Sequence, residues 1–249
     1  MRFLSVEYAK MRRLKVWLVA AVLSLGTLLF ASMQLFRSSY VAAINDPAQQ
    51  HWEGTLLWYA MAKAMTAPLL AAVLASRLVD VEHQGNGWLM AATLGQSKGR
   101  LCLTKILALA PVVAATTAFE LGGLVAASRF VGARLPLPTG TWLWYAFASF
   151  AITLALLAGH IWLSARVENQ LTGLAVGVLG AFAGVFSMLM PSWLAHILPW
   201  GYYAVASAYR MSGLGYEATP IDWPAVTLFL LVLSALVAVG LRRLDRTES

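Results

Sequence analysis

The stretch Leu56–Ala75, LLWYAMAKAMTAPLLAAVLA, decides the fold class. Its twenty residues carry a single charged side chain, that of Lys63. A bilayer core about 30 Å thick is crossed by about 20 apolar residues in a helix, so this stretch predicts a transmembrane helix. Five further apolar runs stand on either side of it in the sequence: Val16–Phe36, Ile106–Ala127, Trp142–Ser164, Leu171–Met190 and Pro224–Leu241.

The composition of the whole chain is typical of a protein solvated mainly by lipid. Of its 249 residues, 60% are hydrophobic and 12% charged, with a mean hydropathy of +0.70, whereas soluble domains carry about 25% charged residues. We therefore predict an all-α integral membrane protein with six transmembrane helices in a single domain over residues 1–249. The first run, Val16–Phe36, is longer than the apolar part of a secretory signal peptide, about 7–15 residues, so we predict a retained span.

The distribution of basic residues predicts the orientation. The formal net charge is +7, and with the N-terminus inside, thirteen of the eighteen Lys and Arg fall in cytoplasmic segments. Only Arg37, Arg129, Arg134 and Arg210 fall outside, and Lys63 lies within a span. This asymmetry places both termini in the cytoplasm. It also accounts for the basic charge without nucleic acid as a partner.

The segment Arg77–Arg100 is then the largest cytoplasmic loop. Asn86 can cap a short helix, GWLMAATL, which Gly95 would end, and Ser97 can cap the helix that leads into the third span. So short a helix owes its stability to packing. Something must therefore cover its apolar side chains, Trp88, Leu89 and Met90. The membrane interface could do so, where Trp is favoured, and so could a partner protein.

The first fifteen residues, Met1–Lys15, have the pattern of an interfacial helix. Apolar side chains such as Phe3 and Met11 share one side, and basic side chains lie across from them. Glu7 and Lys10 interrupt the apolar side. Because they are three residues apart, they can form an intrahelical ion pair, and contact with a partner is the alternative.

Two charged residues lie inside the predicted spans. Lys63 follows Thr55 by eight residues, and Glu120 precedes Ser128 by eight, so both sit about 12 Å below the same end of their helices. Burying a lone charge there is costly, and we therefore expect the two side chains to pair. The pair is either a static lock between helices or a part of a substrate path.

No residues predict a catalytic or metal site. The sequence has one cysteine, Cys102, and four scattered histidines without ligand spacing, and no nucleophile stands beside a base. A secondary transporter or channel could use Lys63, Glu120 and His160 as intramembrane groups, although no internal repeat supports it.

Two further segments have patterns that leave alternatives open. The fifth span contains two GxxxG steps, which permit close helix packing within the chain or across a dimer; they are Gly173, Gly177, Gly180 and Gly184. The extracellular segment Pro191–Asp222 is rich in Trp, Tyr, Pro and Gly. It could form short helices on an aromatic belt or an external gate.

Three stretches resemble a known family: VEYAKMRRLKVW, VEHQGNGWLMAATLGQSKGRLCLTK and LPWGYYAV. They are similar to permease subunits of ABC-2 type exporters, in particular the group that serves lantibiotic immunity and bacitracin resistance. The matching positions are Glu7, Lys10, Glu82, Trp88, Leu94, Gly95, Ser97, Lys98 and Lys105. Gly95 stands where that group usually has Pro, and Lys98 where it has Arg.

The resemblance implies that the loop holds a coupling helix, which sits in a cleft of an ATP-binding subunit. The residues expected at that coupling site are Glu82, Trp88, Leu89, Leu94, Ser97, Lys98, Glu7 and Lys10. The chain has no Gly-x(4)-Gly-Lys-Ser/Thr phosphate loop, so it is not expected to be an enzyme. ATP and Mg²⁺ are expected in a partner ATPase present in two copies, beside a second permease subunit, identical or related.

The function that the resemblance implies is ATP-driven export of an amphipathic substrate, such as an antimicrobial peptide or drug, from a bacterial cell across its cytoplasmic membrane.

Overall fold

The computed structural model describes residues 2–213 and 215–246. Met1, the first residue of the predicted interfacial helix, lies outside this part of the chain, as do residues 214 and 247–249. The helices are α1 (Arg2–Arg13), α2 (Val16–Ala31), α3 (Ser38–Ala42), α4 (His51–Gln84), α5 (Gly87–Thr93), α6 (Lys98–Phe130), α7 (Thr139–Arg166), α8 (Gln170–Leu189), α9 (Ser192–Ile197), α10 (Tyr202–Val205) and α11 (Trp223–Arg246). The described residues also form two short strands, β1 (Tyr209–Ser212) and β2 (Gly215–Ala218), and three 3-10 turns, Met33–Phe36, Pro47–Gln49 and Pro199–Gly201.

The prediction of an all-α membrane protein is confirmed. Among the described residues, five helices are long and apolar enough to cross a bilayer, and the count rises to six if α1 and α2 form one bent span. The helices α4, α6, α7 and α11 extend beyond the predicted spans at both ends. Helix α8 nearly coincides with the predicted Leu171–Met190.

The first predicted span is the one that differs most from the structure. Val16–Phe36 is helical only to Ala31, and a separate 3-10 turn covers Met33–Phe36. Sixteen residues rise only about 24 Å, less than a bilayer core. Helix α1 meets α2 at 64°, and Lys15 between them has the left-handed φ of 53°. The predicted interfacial helix is thus a separate helix that bends away from the first span.

Helix α4 is the central helix of the bundle. It packs against α2, α7 and α8, and 67% of its most apolar 18 residues are buried, against 22% in α11. Small side chains such as Ala60, Ala64 and Ala71 allow neighbours to approach on several sides. Helix α4 therefore runs through the core and connects the two ends of the molecule.

The glycines of α8 pack inside the chain, as predicted by the first of the two alternatives. A methyl group at Gly177 would collide with Cβ of Ala72, and one at Gly184 would lie 2.5 Å from the carbonyl oxygen of Ala64. The missing side chains therefore let α8 lie directly on α4.

The segment between α8 and α11 contains short helices, as one alternative predicted, and also a hairpin that was not predicted. Strands β1 and β2 pair antiparallel, with Arg210 opposite Glu217. Gln50, which precedes α4, donates to the carbonyl oxygen of Tyr216 at 2.9 Å and accepts from its N–H at 2.7 Å. The hairpin is thereby fixed at the end of the bundle opposite α5.

Candidate functional site

The predicted loop Arg77–Arg100 is shorter in the structure because the helices on both sides extend into it. Helix α4 continues to Gln84, and α6 begins at Lys98. Only residues 85–97 connect them, and α5 occupies the middle of this connection. The loop is therefore a short, rigidly anchored projection at one end of the bundle.

The ends of α5 are formed by backbone conformation. Asn86 has a left-handed φ of 50° and its side chain makes no capping hydrogen bond with the described residues, so the predicted side-chain cap is wrong. The predicted end is confirmed: Gly95 has φ +72°, and the N–H of Gln96 donates to the carbonyl oxygen of Ala91 at 2.9 Å. Ser97 caps α6 as predicted, accepting from the N–H of Arg100 at 3.4 Å.

One face of α5 packs against its own chain. The indole Nε1 of Trp88 donates to Nδ1 of His83 at 3.3 Å, and the ammonium of Lys98 lies 5.7 Å from the Trp88 ring centroid. His83 in turn lies with Nε2 3.0 Å from the carbonyl oxygen of Ser164 on α7. Trp88, one of the predicted coupling residues, is thus an anchor for α5 and does not project outward.

The other face of α5 has no cover in the described part of the chain. Leu89, Met90 and Leu94 are 67%, 65% and 66% exposed. A helix of seven residues owes its stability to packing, and α5 packs on its own chain only through the face that carries Trp88. This exposed apolar face, which we call the α5 face, is therefore the candidate binding surface.

Behind α5 lies a buried cluster of four charges from three helices. Lys105 on α6 donates to Glu7 Oε2 at 2.8 Å and to Glu82 Oε1 at 2.5 Å. Lys10 donates to Glu7 Oε1 at 2.8 Å and to Glu82 Oε1 at 2.6 Å. Two ammonium groups thus each bridge the same two carboxylates, and we call these residues the four-charge cluster.

The four-charge cluster is almost fully removed from solvent. Lys105, Glu7 and Glu82 are 0%, 1% and 2% exposed, and Lys10, at 24%, closes the cluster on its outer side. Charges buried this deeply are tolerated only when paired and hydrogen-bonded. The cluster therefore holds α1, the end of α4 and the start of α6 in one arrangement.

The four-charge cluster also supports α5. A methyl group at Gly87, the first residue of α5, would collide with Oε2 of Glu82 and lie 3.0 Å from its Cα. Only glycine lets α5 approach the carboxylate so closely. The predicted Glu7–Lys10 ion pair is confirmed, but it forms one side of a larger network that includes Glu82 and Lys105.

A comparison with protein-family models matches residues 3–184 to the ABC-2 family transporter proteins. The chain belongs to the ABC-2 transporter family. A search of curated proteins gives no match. Membership identifies the chain as a membrane component of an ABC transporter, which assembles with an ATP-binding subunit.

The second predicted site of this ABC-2 protein lies within the membrane-crossing part. Nζ of Lys63 on α4 donates to Oε2 of Glu120 on α6 at 2.6 Å, and both side chains are 1% exposed. The hydroxyl of Tyr59, one turn from Lys63, donates to the same oxygen at 2.8 Å. The pairing predicted from equal depth is confirmed. Tyr59 was missed because a tyrosine in an apolar span is typical of core packing.

His160, the third intramembrane group considered, does not join this pair. It is buried on α7, and its Nδ1 has no hydrogen-bond partner among residues 2–213 and 215–246. It lines a groove between α7, α8 and α11 instead.

Proposed function

We propose that this ABC-2 protein is the permease subunit of an ATP-driven exporter, and that the α5 face docks into the ATP-binding subunit. The observation that supports the proposal is the α5 face itself, three large apolar side chains that the described residues leave exposed on a short helix whose opposite face is anchored to its own chain. Exposed apolar side chains grouped in this way are typical of a surface that binds a protein or a membrane, and the family's assembly with an ATP-binding subunit favours the protein. The helix-in-groove mode of binding uses such closely spaced apolar anchors.

The four-charge cluster would transmit a movement of the docked α5 to other helices of the chain. A movement of α5 presses on Glu82, and Glu82 is tied to Lys105 at the start of α6 and to Lys10 on α1. Packed elements move as rigid bodies when a contact surface shifts. Closure of an ATP-binding subunit on α5 would thus move α4, α6 and α1 together.

The docking can be tested with substitutions that leave the anchoring side of α5 intact. We expect the double variant Leu89→Glu/Met90→Glu to weaken co-purification of a subunit carrying a phosphate loop by at least about tenfold, because burying each apolar side chain on docking would contribute roughly 1.5–3 kcal/mol. The measurement is the ratio of the two subunits after purification from native membranes in a mild detergent.

The matched control is Leu89→Met/Met90→Leu, which keeps the apolar surface and should retain the partner. When each variant chain is purified alone, its elution volume and helical content should match those of the wild-type chain alone, since neither side chain is buried in the chain. A phosphate-loop subunit that is retained equally by the charged variant would contradict the docking proposal.

We further propose that the substrate is amphipathic, of the kind represented by antimicrobial peptides and lipophilic drugs, with self-protection or resistance as the outcome. A pocket of about 480 Å³ lies at the end of the bundle opposite α5. Its wall combines four thioethers with serines and charged groups; the four are Met61, Met188, Met190 and Met211. Methionine side chains adapt to irregular apolar ligands, and Arg210 and Asp222 supply polar contacts.

Resistance measurements test the substrate class. Cells that carry the complete transporter should tolerate higher concentrations of cationic amphipathic peptides, such as lantibiotics and bacitracin, than cells without it. Their sensitivity to hydrophilic toxic sugars should not change. Selective protection against a sugar-like solute would contradict this substrate class and leave the docking proposal untouched.

The alternative, a secondary transporter or channel that uses Lys63 and Glu120, has less support. The two side chains are 1% exposed and bind each other, so they are closed to water in this conformation. Tyr59 occupies a further site on the same carboxylate. This arrangement supports the structural interpretation of the pair, as a lock between α4 and α6.

A further inference from the structure

A groove of about 430 Å³ opens between α7, α8 and α11 and is closed at its deep end by the turn Pro199–Gly201. Its walls are largely apolar, with side chains such as Leu156, Val176 and Leu236. All three helices are among those long and apolar enough to cross a membrane. The groove therefore lies between helices that can cross a membrane, at a depth where acyl chains are available to fill it.

Two positions in the walls of the groove are glycine. Gly159 on α7 and Gly240 on α11 both line it. A methyl group at Gly240 would collide with Nε1 of Trp162. One at Gly159 would meet only Cδ1 of Leu233, at 3.9 Å. Gly159 thus leaves open space that a larger side chain could fill.

Two arginines stand at the end of the groove nearest α5. Arg166 ends α7 and Arg243 lies in the last turn of α11, and both line the groove and are exposed. The guanidinium carbon of Arg166 lies 5.9 Å from the centroid of the Trp162 ring, so this side chain folds onto the groove wall. Neither arginine has a carboxylate within salt-bridge distance in the described part of the chain.

His160 adds a polar group inside the groove. Its side chain is 4% exposed, lines the groove, and has an unpartnered Nδ1 among the described residues. Six residues separate it from Arg166, or about 9 Å along the helix. A buried polar atom without a partner is costly unless a ligand or water satisfies it. This spacing fits a ligand with an anionic group at the arginines and a polar linkage below them.

We propose that this groove binds an anionic phospholipid from the leaflet at the α5 end, the leaflet that the positive-inside pattern predicts to be cytoplasmic. The phosphate binds Arg166 and Arg243, the glycerol ester region lies near His160, and one acyl chain occupies the apolar groove. The planar guanidinium group matches phosphate oxygens in a bidentate fashion. Basic pockets between transmembrane helices on the cytoplasmic side are suited to such head groups.

The lipid can be measured directly on the purified full-length chain. Native mass spectrometry in detergent with added phosphatidylglycerol or phosphatidylcholine should show a roughly tenfold preference of the wild-type chain for the anionic lipid. Arg166→Gln/Arg243→Gln should abolish the preference. Gly159→Leu, which fills the groove and adds a good helix former, should reduce retention of both lipids.

The matched control is Arg100→Gln/Arg242→Gln, which removes the same charge from the same end of the molecule, outside the groove, and should keep the preference. A photoactivatable phosphatidylglycerol should also crosslink in the wild-type chain to peptides from α7 and α11, and this readout needs no variant. Equal retention of the two lipids by the wild-type chain, an equal loss in the control, or crosslinks confined to other helices would each overturn the proposal. A groove covered by a second copy of the chain, seen as protein crosslinks between α7 or α11 of two copies, would overturn it as well.

Discussion

Replacing Lys63 with methionine should lower the free energy of unfolding by about 3–5 kcal/mol, because the change leaves the Glu120 carboxylate buried without its counter-charge. Both side chains are 1% exposed, so water cannot take the place of the ammonium group. The hydroxyl of Tyr59, 2.8 Å from Oε2, can stabilise the carboxylate only in part. Unfolding by denaturant titration in mixed micelles measures the loss.

The double variant Lys63→Met/Glu120→Met is the control for this prediction. Replacing a buried ion pair by apolar side chains of similar volume is often neutral or stabilising, so the double variant should be more stable than Lys63→Met alone. The double-mutant cycle should therefore give a large coupling energy. Additive losses from the two single changes would contradict a direct ion pair.

The pairing of Lys63 and Glu120 could be predicted from the sequence because it follows from depth alone. Each residue is eight positions from the same end of its predicted span, and neighbouring antiparallel helices bring equal depths together. The position of α5 could be predicted for a similar reason, since Gly95 and Ser97 act locally on the backbone. Features that depend on spacing along one helix, or on the pairing of two adjacent helices, can thus be predicted from the sequence.

The four-charge cluster could not be assembled from the sequence in the same way. Glu7 and Lys10 were predicted to pair, and Glu82 and Lys105 were recognised as separate family positions. What joins them is the 64° bend between α1 and α2, which lays α1 across the ends of α4 and α6. That bend depends on Lys15, which has a left-handed φ of 53°. Lysine rarely adopts this conformation, so the sequence does not predict the bend.

The direction of the Trp88 side chain is a second feature that the sequence alone does not predict. Its aromatic side chain in a polar loop predicted a site that something else must cover, and Leu89 beside it gave the same signal. Only the structure separates them, because His83, five residues earlier, binds the indole at 3.3 Å. The outward direction of Leu89 and Met90 follows from the side of α5 that Trp88 occupies.

Replacing Lys105 with methionine should cost about 3–5 kcal/mol in free energy of unfolding, because it removes the central cation from two buried carboxylates. The ammonium group lies 2.8 Å from Glu7 and 2.5 Å from Glu82. The remaining cation, Lys10, cannot compensate fully because it lies at the solvent edge. Hydrogen exchange should therefore show faster opening of α1 and α5, together with the lower overall stability.

Two comparisons make the Lys105 prediction specific. Lys10→Met should cost clearly less, since Lys10 is 24% exposed against 0% for Lys105, and a partly solvated charge pair contributes less than a buried one. Adding Glu7→Gln and Glu82→Gln to Lys105→Met should restore part of the loss, because neutral amides are less costly to bury than unpaired carboxylates. Equal losses for Lys10→Met and Lys105→Met, or no recovery in the triple variant, would show that the four charges do not act as one buried cluster. The cluster is expected both to hold α1 against α4 and α6 and to support α5, and hydrogen exchange separates these two roles. If α5 stays protected in Lys105→Met while α1 opens, Glu82 supports α5 through its backbone position and not through its ion pair with Lys105.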